Sequence, residues 1–103
     1  MTSKQRAYLR GLANTIPAKY QIGKNGIDYN FLTQIRQGLE ANELIKVHVL
    51  ENSLLDTRTV CHELCERVDA HPVQVIGSKF IIYKRSEKNP QIELPKLAKK
   101  VKK

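Results

Sequence analysis

Two segments of this chain open on the same local signal. An aliphatic residue precedes an aspartate, and a second aliphatic follows four positions later: Ile27-Asp28…Leu32 and Leu55-Asp56…Val60. A capping aspartate accepts from the orphan N–H groups of a first helical turn, and the aliphatic pair staples the incoming chain across it. Two helices are therefore expected, and the run Leu44–Leu50 lies between them. There Ile45, Val47 and Val49 fall on one side, and Leu44, Lys46, His48 and Leu50 on the other. This is the period of a strand. Helices that bracket a strand must bury their apolar stripes against its sheet, which commits the chain to a layered α/β architecture.

The remaining elements follow from the same reasoning. Thr2 or Ser3 can cap a first helix reaching about Asn14, with Leu9, Leu12, Ala13 and Ile16 as its apolar stripe. Pro17 ends that segment, and Lys19-Tyr20-Gln21-Ile22 reads as a short strand. The second helix carries Phe31, Leu32, Ile35 and Leu39 inward and fades near Asn42. After a loop at 51–53, the third helix buries Val60, Leu64 and Val68, flanked by Cys61 and Cys65. Pro72 forces His71 out of helical geometry and closes that segment. Val73–Ile76 and Phe80–Lys84 are two strands with Gly77-Ser78-Lys79 between them, and Gly-Ser between apolar runs signals a two-residue hairpin. From Ser86 regularity fades, and the five lysines of residues 96–103 suggest a mobile basic tail. The expected order is α-β-α-β-α-β-β, one α/β (α+β layered) domain over residues 1–95 with a four-stranded mixed sheet.

Charge narrows the function. Eighteen Lys and Arg stand against ten acids, a net +8, and the first 27 residues hold five bases and no acid. Such clustering attracts polyanions. A membrane surface would require an exposed apolar helix face, whereas the stripes here are needed for the core, so nucleic acid is the expected partner. No apolar run has the length of a membrane span and Met1-Thr2-Ser3-Lys4 leads into no signal-peptide core. Two cysteines make no disulfide framework. A reduced, cytoplasmic, monomeric protein is the expectation.

Gly23-Lys24-Asn25-Gly26 stands between the first strand and the second helix. Exposed N–H groups in a glycine turn form an anion-binding concavity, to which Lys24 adds a cation. KH modules clamp a nucleic-acid backbone with a G-x-x-G loop of this kind, and such contacts position without reading sequence. An ordinary strand-to-helix turn would look similar. The loop is not a Walker nucleotide site, because its lysine precedes the second glycine and no Ser or Thr follows. Asp28 would repel a phosphate on the helix axis, so the expected contact is beside the amides of residues 24–26.

Four separated motifs carry a family resemblance: Gly23–Ile27, Glu43-Leu44-Ile45-Lys46-Val47, Val73-Gln74-Val75-Ile76-Gly77 and Ile82-Tyr83-Lys84-Arg85. Together with Lys4-Gln5-Arg6 at the start and Ile92-Glu93-Leu94-Pro95 at the end, their order and spacing resemble the YhbY/CRM family over about residues 3–95. The resemblance implies a fold similar to the C-terminal domain of translation initiation factor three. It also implies association with ribosomal RNA in precursors of the large subunit, and it makes Gly23, Lys24, Asn25 and Gly26 the RNA-facing loop.

Around that loop, Arg6, Arg10 and Lys19 are candidate phosphate contacts, and Lys46 with His48 could extend a basic surface. Arg6 and Arg10 are like charges one helical turn apart, costing about 0.2–0.5 kcal/mol that an anion would relieve; a solvated face fits equally. Of Tyr8, Tyr20, Tyr29 and Tyr83, which could stack on bases or pack in the core, Tyr29 is the best stacking candidate because it starts the helix after the loop. Cys61, His62 and Cys65 lack the further ligands of a closed zinc site, and no nucleophile–base–acid constellation is recognisable. No enzymatic activity, metal, cofactor or small-molecule substrate is expected. Two rivals stay open: a module that binds a ribosomal protein or assembly factor, and a small enzyme with a reactive cysteine.

Overall fold

The computed structural model describes residues 1–94, and both predicted aspartate caps are in place. Asp28 accepts from the Phe31 N–H at 2.8 Å and opens α2 (Tyr29–Asn42), and Asp56 accepts from the Thr59 N–H at 3.0 Å and opens α3 (Thr57–Val68). The Ile27–Leu32 staple packs against the core, whereas Leu55 stays 40% exposed. Thr2 caps α1 (Ser3–Ala13) through a reciprocal pair with Gln5, each side chain accepting from the other's backbone N–H at 3.1 Å.

The strands are β1 (Tyr20–Ile22), β2 (Leu44–Val49), β3 (His71–Ile76) and β4 (Lys79–Tyr83), and a short 3₁₀ turn, Glu51–Ser53, follows β2. They form one mixed sheet in the order β1-β2-β4-β3, with β1 parallel to β2 and the other pairs antiparallel. Ile76 pairs with Lys79 around the two-residue turn Gly77-Ser78, as the Gly-Ser signal predicts. The expected order of elements holds.

Strand boundaries shift by one residue at β1, β2 and β4, and by two at β3. The third strand starts at His71, two residues before the expected Val73, and takes in Pro72. Proline cannot donate to a ladder and is tolerated on an edge strand or at a bulge; β3 is an edge, and its register shifts between Pro72 and Gln74.

The sheet has two covered faces. On one, α2 and α3 lay Phe31, Ile35, Leu39, Val60 and Leu64 over Ile22, Ile45, Val47, Phe80 and Ile82. Tyr20 joins this side because Gly38 leaves space for its ring, where any Cβ would collide with the phenol. On the other face, α1 contributes Leu9 and Ala13 to a smaller cluster with Leu44, Val73, Ile81 and Tyr83. Leu12, expected in that stripe, is 37% exposed, and Ile16 lies past the end of the helix. Tyr83 is buried and stacks on His71, with ring centroids 6.5 Å apart.

Residues 84–94, after β4, form no helix or strand, yet side chains hold them in place. Glu43 is fully buried, and its carboxylate accepts from the backbone N–H groups of Ser86, Gln91 and Ile92 at 2.9, 2.7 and 2.6 Å. Glu40 accepts from the Ser86 hydroxyl at 2.6 Å and from the Lys88 N–H at 3.1 Å. Ile92 and Leu94 thereby pack on the α1-side cluster. The basic tail expected at 96–103 lies outside the described residues.

Candidate nucleic-acid interface

The glycine loop is positioned by the parallel pair β1–β2. The Leu50 N–H donates to the Ile22 carbonyl at 2.9 Å, fixing the point where β1 ends and the loop begins. A turn follows, closed by the Gly26 N–H donating to the Gly23 carbonyl at 3.0 Å. Gly26 has φ +66°, a backbone conformation in which a side chain is strained. Lys24 and Asn25 at the tip are exposed.

Of the three amides expected to meet a phosphate, that of Gly26 is therefore already used inside the turn. Among the described residues no hydrogen bond occupies the N–H groups of Lys24 and Asn25. A shallow groove beside the turn is lined by Lys24, Asn25, Asp28, Asn30 and Gln34. Asp28 faces it with one negative charge, and its carboxylate caps α2 on the Phe31 N–H, which disfavours an anion on the helix axis. The arrangement can accept one phosphate at the tip, on two N–H donors and one ammonium group. Tyr29, 78% exposed, follows directly.

The other expected site residues fall into two further groups. Lys19 precedes β1 and Lys46 sits in β2, and because Tyr20 pairs with Val47 they occupy neighbouring positions and line one cavity on the α1 side of the sheet. Arg6 and Arg10 belong to α1. The Arg6 guanidinium donates through Nε to the Pro72 carbonyl at 3.4 Å, at the start of β3. β3 is the opposite edge of the sheet from β1, and its start is the end remote from the loop, so Arg6 does not converge with Lys24. Arg10 is exposed on the same helix. Gln21, His48 and Lys79 pair across β1, β2 and β4, which puts Lys79, not singled out from sequence, on the row of Lys46's neighbour His48. Strand pairing was the missing information.

The remaining candidates take structural positions. Cys61 and Cys65 are buried in the larger core with their thiols free, and the contact with Cys61, together with burial, pushes the Cys65 thiol up and keeps it protonated. Glu43 is pushed up by burial, but its three N–H donors outweigh this and hold its carboxyl below the usual range. The Ser86 hydroxyl, with the N–H groups of Lys88 and Glu87, holds Glu40 low as well. Among the described residues no helix is long and apolar enough to cross a membrane.

Comparison with known proteins agrees with this fold. The chain matches the family model of the CRS1/YhbY (CRM) domain over residues 1–84. It is 42% identical over 95 residues to the "Probable RNA-binding protein YqeI" of Bacillus subtilis, covering 92% of this chain and 99% of that protein. It is 30% identical over 96 residues to an "RNA-binding protein" of Haemophilus influenzae, covering 93% and 96%. The solution structure of the hypothetical protein SAV1595 from Staphylococcus aureus superposes with a TM-score of 0.77 at 48% identity, covering 92% of this chain and 99% of that one. By the family model over residues 1–84 and by these identities over nearly the whole chain, the protein belongs to the CRS1/YhbY (CRM) domain family.

Proposed function

We propose that this protein is an RNA-binding module without catalytic activity, acting in the cytoplasm on ribosomal RNA in precursors of the large subunit. The observation that carries the reading is the tip of the Gly23–Gly26 turn. Lys24 and Asn25 are both exposed there, with backbone N–H groups that make no hydrogen bond among the described residues, on a chain of net charge +8. That donor set fits a phosphate on a ribose-phosphate backbone, and it reads no base. The names of the Bacillus and Haemophilus relatives, "Probable RNA-binding protein YqeI" and "RNA-binding protein", support RNA as the polyanion.

The loop supplies one contact, and Lys19 with Lys46 at the other end of β1 supplies two more. Arg6 and Arg10 extend the positive field from α1, Arg6 while also holding Pro72. Tyr29 stacks on a base emerging from the loop. Ultraviolet crosslinking in cells followed by sequencing of the attached RNA tests the assignment. Reads concentrated in large-subunit ribosomal RNA, and reduced in Lys24→Glu, are expected. Reads spread over messenger RNA, or crosslinks unchanged by Lys24→Glu, would refute it.

A further inference from the structure

The cavity between the end of α1 and the β1–β2 pair is chemically unlike the loop groove. Its volume is about 370 Å³, near the lower end of the range of small-ligand sites. Leu12, Ile16 and Leu44 supply apolar wall, Asn42 supplies an amide, and Lys19 and Lys46 supply two ammonium groups. No carboxylate lines it among the described residues. Leu12 is the informative residue: its helical spacing destines it for burial with Leu9 and Ala13, yet it remains 37% exposed beside this opening. Ile92 forms another wall, held in place by its N–H bond to the buried Glu43 carboxylate. The cavity is thus braced by a fully buried carboxylate that accepts three hydrogen bonds.

We infer that this cavity receives one unpaired nucleotide of the bound RNA, its base between the aliphatic walls, its edge at Asn42 and its phosphate at Lys19 and Lys46. The inference rests on the reading of the loop as a backbone contact and adds to it a site that senses bases. Apolar side chains sandwich an extruded base, amides pair with its hydrogen-bonding edge, and lysines neutralise phosphate without a geometric demand. Charge complementarity selects this occupant over an apolar peptide, since two ammonium groups with no acid among them would be left unpaired by such a partner.

The cavity and the loop are also connected. Lys19 and Lys24 flank β1, five residues apart, so at most about 18 Å of backbone separates them. β1 is an edge strand whose outer side is uncovered by any other strand of the sheet. A single strand of about five stacked nucleotides, at ~3.4 Å each, spans that interval.

The test compares two chains of equal length, a short single-stranded RNA and a sugar-phosphate chain carrying no bases. The native protein should prefer the base-bearing chain, through Tyr29 and the cavity together. Ile16→Trp, which fills the cavity, should cut that preference by about 5- to 150-fold, the worth of one stacked base, while still binding the baseless chain as the native protein does. Lys24→Glu should instead weaken binding of both chains. Equal binding of the two chains by the native protein, or an undiminished preference in Ile16→Trp, overturns the cavity and leaves the loop untouched. Loss of the Lys24→Glu effect would overturn the loop. Should Ile16→Trp fail to fold, photocrosslinking of the native protein to a 4-thiouridine-substituted RNA decides: adducts at residues 12–20 or 42–46 are expected, and adducts confined elsewhere refute the site.

Discussion

Glu43 shows how much one residue can do that a one-dimensional reading does not see. It sits just past the end of α2, where the backbone has φ +67° and a glycine is the ordinary occupant. Its strained conformation, costing about 1–3 kcal/mol, persists because the carboxylate collects three N–H groups from residues 86–92. Sequence periodicity finds stripes and caps, which are local. It has no means of pairing a glutamate with N–H groups more than forty residues away, so the fading regularity after Ser86 says nothing of how residues 86–92 are pinned. Glu43→Ala should therefore lower unfolding free energy by at least about 2 kcal/mol in urea titration, since buried donors lose their acceptor. Glu43→Gly should cost less, because it relieves the backbone while losing the same bonds. Equal stability of Glu43→Ala and the native protein would contradict the clamp. The cysteines follow the opposite pattern: their place beside the third helical stripe announced burial, and both are core residues. Native Cys61 and Cys65 should resist thiol labelling that proceeds freely in denaturant; rapid native labelling would reopen the thiol-enzyme reading.

Among the elements, those with a strong local signal were the most legible. The caps at Asp28 and Asp56, the β2 alternation and the Gly-Ser turn all stand where their residues put them. What failed was where tertiary context overrides propensity, as with Pro72 in an edge strand and Leu12 left outside the core. The candidate site was legible as residues but not as a constellation. Lys19 and Lys46 meet because β1 and β2 run parallel, whereas Arg6 is drawn to the far edge by Pro72. The loop–α2 junction yields a two-sided prediction. Asp28 stabilises the helix as its cap and opposes RNA as a charge beside Lys24. Asparagine caps about as well as aspartate, so Asp28→Asn should leave the melting temperature within a few degrees and tighten RNA binding at low salt. Weaker binding with an intact fold would mean that no phosphate approaches this junction.

At the scale of the whole molecule, stability and binding depend on different charges. Glu43, Glu40 and Asp56 are all held below their ordinary carboxylate values, Asp56 by the Thr59 N–H and hydroxyl. Depressed carboxylates contribute stability that is fully present above their unfolded values, which begin near 4.5 for the glutamates, and that is lost as pH falls through the lower folded values. The urea midpoint should be flat from neutral pH to about 5 and drop progressively below about 4.5. A midpoint unchanged at about pH 3 would show that these hydrogen bonds contribute nothing net.

Binding depends on the bases instead. With about five phosphates neutralised, log affinity for ribosomal RNA fragments should fall against log salt with a slope of about −3.5 to −4.5. The decisive measurement is that slope for the native protein and for Lys24→Glu, alongside their melting temperatures. Backbone recognition at the turn predicts weaker binding, a slope shallower by about 0.7 to 0.9 or more, and matching melting temperatures. Identical slopes and affinities for two equally stable proteins would show that the RNA does not touch the turn.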